Sequence, residues 1–370
     1  MILRYRLARS AALILLLFPC GICGAATQDK SPAFDAVYVI TCGPSVYAYD
    51  KAFQQISTVR LPGFGETYHV CDADIVPERD LLVLATSTRE TPLMALRIPS
   101  LESEPGLKFP FRRPVAQYMP LYVKCLTPRY LLLRDETFFS PNEPEPYDTV
   151  IADMEKGTIA PTSFGPGGKD AVQTCASGAC VIFIGCNALR VVSLESGNIL
   201  RSIEYPDRGS FEGCVILADS TAGRLGLQGR WRSTSTAASQ RCLDIDVSEA
   251  TVSVSSPKTA VPAIAATAIP RRDAVMRAWA RGQRREGDTK WVLADRHMMT
   301  ALDKFAAALP KDKESAIGNK LFVSPDDRYM FATGFDSGRK IWTLSILATD
   351  TAELLQAFSY DHAVLCVLFD

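Results

Sequence analysis

The segment from Ile317 to Asp370 restricts the possible folds most, because it contains four short apolar runs separated by turn residues. The first run enters a Ser-Pro-Asp-Asp turn at Ser324–Asp327, and the second, Tyr329–Thr333, ends at a Gly-Phe-Asp-Ser-Gly turn. Two further runs follow, Lys340–Ala348 and Leu354–Phe358. Four short strands in about 45 residues, joined by Pro, Gly and Asp turns, are typical of one blade of a β-propeller.

The same unit recurs in weaker form along the chain, and its best marker is the turn between the first and second strands. Proline or small residues form this turn, and the apolar run that follows it predicts the next strand. The six copies span Asp74–Thr86, Lys124–Asp135, Gln173–Gly185, Ile216–Gly229, Ala266–Ala280 and Leu321–Thr333.

The copy at Ala266–Ala280 leaves the position of its second strand open. Ala274–Arg281 keeps the proline turn in register, so we expect the strand there. Trp291–Asp295 is the alternative, because Trp291–Lys304 aligns without gaps on Tyr38–Lys51.

A seventh unit combines both ends of the repeat array. Val37–Pro62 contains strands two, three and four without a first strand, and His362–Phe369 is a surplus strand after the last unit. Pairing them would remove the exposed edges of the terminal blades. We therefore predict an all-β fold: a seven-bladed propeller of four-stranded antiparallel blades, closed by the C-terminal strand joining the first blade. A pair of β-sandwiches or a large barrel is the alternative.

Two spans resemble known propeller repeats. SPDDRYMFATGFDSGRKIW, from Ser324, resembles a WD-repeat core, although Thr343 follows Trp342 where aspartate is usual. VYVITCGPSVYAYD, from Val37, resembles the opening of a YVTN-type repeat. This likeness to the WD-repeat and YVTN-type propellers implies the fold and little about activity, because such folds have many functions.

The N-terminus is typical of a signal peptide. Arg4, Arg6 and Arg9 precede a short apolar core at Ala11–Phe18, and small residues lead to Ala26. The core is too short for a membrane anchor, which needs about 20 residues. We predict a signal peptide over residues 1–26, a single propeller domain over residues 27–370, and export to the periplasm or the extracellular space, with no membrane span after cleavage.

The number of cysteines and the length of the chain predict that most of the cysteines are buried and do not form a disulfide framework. Nine of the 11 lie beyond the predicted signal peptide, and this odd number leaves at least one unpaired or bonded between chains. A chain of this length buries a large core without a disulfide framework, so we expect most of them to be small buried hydrophobes. Cys175, Cys180 and Cys186 do not have zinc-binding spacing. A disulfide between Cys175 and Cys180 is an alternative that the sequence does not decide.

Charge and motifs exclude several function classes. The net charge of −1 gives no general attraction to nucleic acid. No metalloprotease, phosphate-loop or serine-hydrolase motif is present, and we predict no metal and no other cofactor. The channel-mouth candidates are His69, Asp72 and His362, because both histidines begin predicted inner strands. They could bind a metal or transfer protons, or they could be polar strand ends.

Long loops point to a binding face. Three loops between strands two and three are long, Glu136–Asp148, Gly229–Arg241 and Ala280–Asp288, and all are expected on one face. The last two carry the candidate binding residues, which are Arg230, Trp231, Arg232, Arg241, Arg281, Arg284 and Arg285. Arginine side chains bind carboxylates and other anionic groups through paired hydrogen bonds. The alternative is that these residues form a charged rim that contacts only solvent.

Two functions fit these patterns. The first is an exported, non-catalytic binding or scaffold protein that uses the Arg-rich face for a protein or an anionic glycan. The second is a lactonase-like propeller hydrolase with its site at the channel mouth. The scarcity of histidine, with only three in the chain, favours the first.

The first prediction concerns export. Because the basic, apolar and small-residue pattern predicts cleavage after Ala26, we expect the exported protein to begin at Thr27. Mass spectrometry of the exported protein measures this directly. A membrane-retained species that keeps Met1–Ala26 would show that the segment is an anchor.

Overall fold

The computed structural model describes a compact unit within Pro32–Asp370. The described residues are 34–61, 69–87, 93–105, 121–135, 148–163, 171–174, 178–184, 188–205, 210–219, 224–232, 239–246, 251–255, 270–282, 291–310 and 319–370. Between residues 210 and 255 the description covers the backbone.

The described strands form six sheets, named A to F. Sheet A begins with β1 (Ala36–Thr41), β2 (Ser45–Asp50) and β3 (Gln55–Arg60). Sheet B contains β4 (Val70–Val76), β5 (Leu81–Thr86), β6 (Leu93–Arg97) and β7 (Glu102–Ser103). Sheet C contains β8 (Leu121–Cys125), β9 (Tyr130–Asp135), β10 (Asp148–Asp153) and β11 (Thr158–Ser163). Sheet D contains β12 (Ala171–Thr174), β13 (Cys180–Ile184), β14 (Ala188–Ser193) and β15 (Ile199–Glu204).

The later part of the chain adds helices. Sheet E contains β16 (Ser210–Asp219), β17 (Arg224–Arg232), β18 (Ser239–Asp246) and β19 (Thr251–Ser255), and helix α1 (Pro270–Gly282) follows. Strand β20 (Trp291–Asp295) then joins sheet E parallel to β16, and helix α2 (Arg296–Ala308) comes next. Sheet F contains β21 (Leu321–Val323), β22 (Tyr329–Asp336), β23 (Ile341–Ala348) and β24 (Leu354–Tyr360), and β25 (Val364–Phe369) ends the chain.

The C-terminal strand belongs to the first sheet. Sheet A has the order β25-β1-β2-β3, and β25 runs antiparallel to β1, with Val37 opposite Phe369 and Ile40 opposite Cys366. The surplus strand predicted at the C-terminus therefore takes the place of the first strand that Val37–Pro62 lacks.

The second strands of sheets A and B are buried on both faces, and β1 shows why. All six of its residues are buried. Tyr38 and Ile40 pack against sheet B, whereas Val37 and Val39 pack against sheet F. Because side chains alternate along a strand, one apolar strand thus fills two adjacent cores.

Other second strands repeat this arrangement. In β5, Leu82 and Leu84 face sheet A while Val83 faces sheet C. In β9, Leu131 and Leu133 face sheet B while Leu132 faces sheet D. The sheets therefore pack face to face in the order F, A, B, C, D, which is a propeller-like, all-β arrangement with few helices.

The predicted strand at Ala274–Arg281 is wrong, because these residues lie in helix α1. Pro270 begins the helix, a position at which its missing N–H is not needed. Val275, Ala278 and Trp279 are buried on one side, with the spacing of three and four residues that a helix requires. The alternative segment, Trp291–Asp295, is a strand, β20, but it lies at the edge of sheet E beside β16 and is not the second strand of a sixth blade.

Helices α1 and α2 pack on sheet F rather than forming a blade. Trp279 of α1 and Leu302 and Phe305 of α2 share a core with Met330 and Ala332 of β22. The described residues therefore form six sheets, and a two-helix unit takes the place in the chain where a sixth of seven blades was predicted.

The second prediction concerns the pairing of β25. Deleting His362–Asp370 removes the buried side chains of Val364 and Val367 and exposes the edge of β1. Burial of each such side chain contributes about 1.5–3 kcal/mol, so for a domain of this size we expect the melting temperature to fall by at least about 4 °C. Calorimetry measures the transition.

A matched control is Leu354→Ala on the outermost strand of sheet F, where Leu354 is 58% exposed. We expect this variant to change the free energy of unfolding by no more than about 0.5 kcal/mol. A truncated protein with an unchanged melting temperature would contradict the role assigned to β25.

Candidate functional site

Antiparallel pairing places one set of turns at a common end of each sheet. The start of the first strand, the end of the second and the start of the third meet there. We call this end the long-loop face; it includes His69, the β1–β2 turn at Cys42–Pro44, the β22–β23 turn and the end of β17.

His69 lies exposed just before β4 and is tied to the end of β5. Its backbone N–H donates to Oγ of Ser87 at 2.9 Å, and the N–H of Ser87 donates to the carbonyl of His69 at 2.9 Å. The same hydroxyl lies 3.5 Å from Nδ1 of the imidazole. His69 therefore helps to fasten the first two strands of sheet B.

His362 lies exposed in the turn between β24 and β25, at the same face of the neighbouring sheet A. Its imidazole lies so close to Gly43 that a Cβ at position 43 would collide with the ring. A larger residue at position 43 would therefore force the exposed imidazole of His362 to move. The structure places His69 and His362 next to adjacent sheets, B and A.

Asp72 points from sheet B to sheet C, where its carboxylate accepts a hydrogen bond from the N–H of Val123 at 3.1 Å. Asp74, two residues on, accepts one from the N–H of Cys125 at 2.7 Å. Both carboxylates thus bind the backbone of β8, the first strand of the next sheet. Inner-strand carboxylates here hold neighbouring sheets together.

Burial changes the proton affinity of this region. It raises the pKa of the Asp74 carboxyl, which Lys124 and two backbone N–H groups partly offset. It also raises the pKa of the Cys125 thiol to about 12 and that of the Cys366 thiol well above its usual value, and nearby aspartates add to both effects. Thiols that stay protonated are poor nucleophiles.

The described cysteines differ in burial and in bonding. Cys71 is buried, whereas Cys42, Cys125 and Cys366 are half-buried thiols. Cys180 is disulfide-bonded. Across the described residues, no group of three or more histidine, cysteine or acidic side chains is arranged to hold a metal ion.

The members of the predicted arginine set that can be located lie in strands β17 and β18 and in helix α1, not in loops between second and third strands. Arg230, Trp231 and Arg232 end β17, and Arg241 lies opposite Gly229 near the start of β18. Arg281 is exposed in the last turn of α1. Arg284 and Arg285 lie outside the described residues.

Contact with sheet F fixes the end of α1. Gly282 lies against the carbonyl of Leu321, where a Cβ would collide with that oxygen. The last turn of the helix, with Arg281, is therefore held at the start of β21, which is the long-loop face of sheet F.

Sequence reasoning missed the tip of the β22–β23 hairpin, which it interpreted only as a turn. Phe335 is 49% exposed there, and its ring lies 4.8 Å from that of Trp342 on the facing strand. Arg339 and Lys340 are exposed in the same turn. The sequence signal for this exposed ring was an aromatic residue, Phe335, in a turn between two glycines.

Neither helix of the described residues has the length and apolar character needed to cross a membrane.

Comparisons with known proteins give only distant structural likeness. No family model matches the chain, and no curated protein matches it. TolB from Acinetobacter baumannii is 10% identical with a TM-score of 0.40, over 91% of this chain and 66% of TolB, so the chain spans just under two thirds of that protein.

Two further solved structures are similarly distant. A nidogen/laminin complex is 7% identical with a TM-score of 0.39, over 90% of this chain and 97% of the other. Hydrazine synthase of Kuenenia stuttgartiensis is 9% identical with a TM-score of 0.38, over 88% and 80% of the two chains. Likeness at this level carries no conclusion about function.

The third prediction concerns Asp74. Because its pKa is raised in the folded state, the native protein binds more protons than the unfolded chain as pH rises from about 4 through that raised pKa. The contribution of Asp74 to stability therefore falls over this window. Asp74→Asn keeps an oxygen acceptor and does not ionise, so its free energy of unfolding relative to wild type should rise over the same window.

Chemical denaturation of both proteins from pH 4 to pH 8 measures this difference. Asp50→Asn is the matched control: Asp50 lies outside this region, and its carboxylate accepts bonds from two exposed turn N–H groups. A constant difference between wild type and Asp74→Asn over the whole range would show that burial does not govern this carboxyl.

Proposed function

We propose that this chain is an exported, non-catalytic binding or scaffold protein of the propeller type that contacts a protein or another anionic partner through its long-loop face. One observation supports this most: exposed cations and an exposed aromatic ring lie together at that face of sheet F. They are Arg281, Arg339, Lys340 and Phe335. Arginine and aromatic side chains are enriched where proteins bind one another.

The proposal includes a closed ring. Sheets A to F would act as blades, β25 would close the ring between sheets F and A, and the unit of α1, β20 and α2 would fill the place predicted for a sixth blade. The pairing of β25 with β1 and the burial of both faces of β1 support closure at this point. A closed ring gives the long-loop face a rigid base.

Rigid placement favours binding because little side-chain or loop ordering remains to oppose it. Arg281 is held by the contact of Gly282 with Leu321. The hairpin tip is shaped by Asp336, whose carboxylate accepts hydrogen bonds from the N–H groups of Gly338 and Arg339 at 2.9 and 3.1 Å. Both cationic segments are thus fixed by local contacts.

The hydrolase alternative needs a nucleophile or a general base at the channel mouth. Asp72 and Asp74 accept backbone hydrogen bonds from the neighbouring strand, and burial keeps the Cys366 thiol protonated. His69 is fastened to Ser87. These two aspartates, the thiol and His69 thus make structural contacts or stay protonated, which supports the binding proposal.

The fourth prediction tests the Arg-rich face. Immobilised protein is used to capture a partner from the exported proteins of its native host, and the affinity of the purified partner is then measured. Changing Arg281, Arg284 and Arg285 together to serine should weaken binding by at least about tenfold and flatten its salt dependence. The change should leave stability nearly unaltered, because exposed charges contribute little to it.

The control changes Lys51 and Arg79 to serine, since both are exposed in turns at the opposite end of sheets A and B. We expect unchanged affinity. A partner that binds the two variants and wild type equally would show that the long-loop face is a solvated rim. Hydrolysis of a lactone by wild type that is lost in Asp72→Asn would instead support the enzyme.

A further inference from the structure

We propose that an aromatic cleft between sheets F and A receives an apolar side chain from an extended, acidic segment of a partner protein. The aromatic cleft consists of Phe335, Trp342, Tyr360 and Tyr47. This inference rests on the proposed binding function and specifies the partner's chemistry and its place on the long-loop face.

Strand register aligns the rings in one row. Phe335 lies opposite Trp342, and Trp342 lies opposite Tyr360 on the next strand. Directly opposed residues share one face of a sheet, so these three side chains point the same way. The row continues into sheet A, where the ring of Tyr47 lies 4.9 Å from that of Tyr360.

Packing shows that this face of sheet F is turned toward sheet A. Tyr360 is buried in the core between the two sheets, and Trp342 packs against the same core. The hydroxyls of Tyr360 and Tyr49 share a hydrogen bond of 2.9 Å. The aromatic row thus begins in the core and becomes more exposed toward Phe335.

The hairpin projects beyond its neighbour, and this projection opens the cleft. Backbone hydrogen bonds between β22 and the segment that leads into β21 end at Thr333, whereas β22 and β23 remain paired up to Asp336 and Ile341. Phe335 therefore lies beyond the start of β21. A half-exposed ring above a buried aromatic base suits the insertion of one more apolar side chain.

The charges around the cleft favour an anionic partner. Arg339 and Lys340 are exposed at the hairpin tip, and Arg60 is exposed at the end of β3, opposite Ser45. Asp336 forms the turn, and its Oδ2 also lies 3.8 Å from Nε of Arg339 in an exposed ion pair, which an acidic partner would compete with. Asp361, in the β24–β25 turn, is a further exposed acid among the described residues. Cations on both sides of an apolar cleft match an acidic segment that carries one large apolar residue.

The ring geometry favours a peptide over a glycan. Sugars stack on the flat, open faces of aromatic rings, but the planes of Phe335 and Trp342 are inclined at 48° and those of Tyr47 and Tyr360 at 56°. Inclined rings form a pocket for a side chain rather than a platform. A protein segment is therefore the occupant that the cleft fits best.

The fifth prediction uses a defined probe. A short fluorescein-labelled peptide of alternating glutamate and serine with one central phenylalanine should bind the full-length protein, as measured by fluorescence anisotropy at low salt. Replacing the central phenylalanine by serine, or the glutamates by lysines, should weaken binding of the peptide by at least about tenfold.

The variants locate the binding site. Phe335→Ser removes an exposed ring and should weaken binding about tenfold, with an unchanged melting temperature. Arg339→Ser with Lys340→Asn should weaken binding and reduce its salt dependence, and asparagine tolerates the left-handed backbone of Lys340, at φ 55°. Leu354→Ser, at an exposed apolar position on the outermost strand of sheet F, should leave peptide affinity unchanged.

Three outcomes would overturn the inference. The first is an acidic peptide that binds wild type and Phe335→Ser equally, and the second is an absence of peptide binding to wild type. The third is a sulfated oligosaccharide that binds more tightly than the peptide and loses affinity in Phe335→Ser. If a partner captured from the native host depends on Arg281 but not on Phe335, this inference fails while the binding function stands.

Discussion

The structure depends on the burial of both faces of the second strand in successive sheets. In β1 and β5 every residue is buried, whereas the outermost strand β3 has no fully buried residue. Each fully buried apolar side chain contributes about 1.5–3 kcal/mol, so one such strand stabilises two cores at once. Adjacent sheets are therefore bound through shared strands, and removal of one sheet would expose a face of each neighbour.

A second set of contacts connects the first strands of neighbouring sheets. Asp72 and Asp74 each bind a backbone N–H that lies 51 residues further along the chain. Thr174 donates to the carbonyl of Leu126, 48 residues before it. These separations are close to the repeat length, so each bond joins corresponding strands of successive units. Each of these two carboxylates has one such partner on the next sheet, and together the two bonds stabilise the spacing between sheets B and C.

The sequence predicted the sheets where short apolar runs were separated by clear turn residues. It also predicted the pairing of β25 with β1, because one end lacked a strand that the other supplied. It failed at Ala274–Arg281, where a proline in register with other turns was taken as a strand turn. Val275, Ala278 and Trp279 have helical spacing, but three apolar positions in a short run do not exclude a strand. Burial of that helix against sheet F decides its conformation, and no local pattern shows this contact.

The candidate site was partly predictable for a related reason. Loop length and arginine content indicated the long-loop face, and the structure places Arg281 there. The partners of Asp72 and Asp74 were not predictable, because they lie in another repeat. Nor did the sequence reveal the aromatic cleft, since Phe335 joins Trp342, Tyr360 and Tyr47 only after two sheets have packed together.

In the proposed binding mode, stability and recognition would use different parts of the same sheets. The carboxylates and thiols of the inner strands are enclosed, and hydrogen bonds or raised pKa values restrict their chemistry. In sheet F a row of aromatic residues crosses three strands from the core to the surface. Trp342 on the third strand lies between buried Tyr360 and exposed Phe335. Because the buried end of this row is fixed by the Tyr49–Tyr360 hydrogen bond and by packing, the exposed end is held without flexible loops. A partner that inserts an apolar side chain there meets a surface that is already ordered, which lowers the entropic cost of binding.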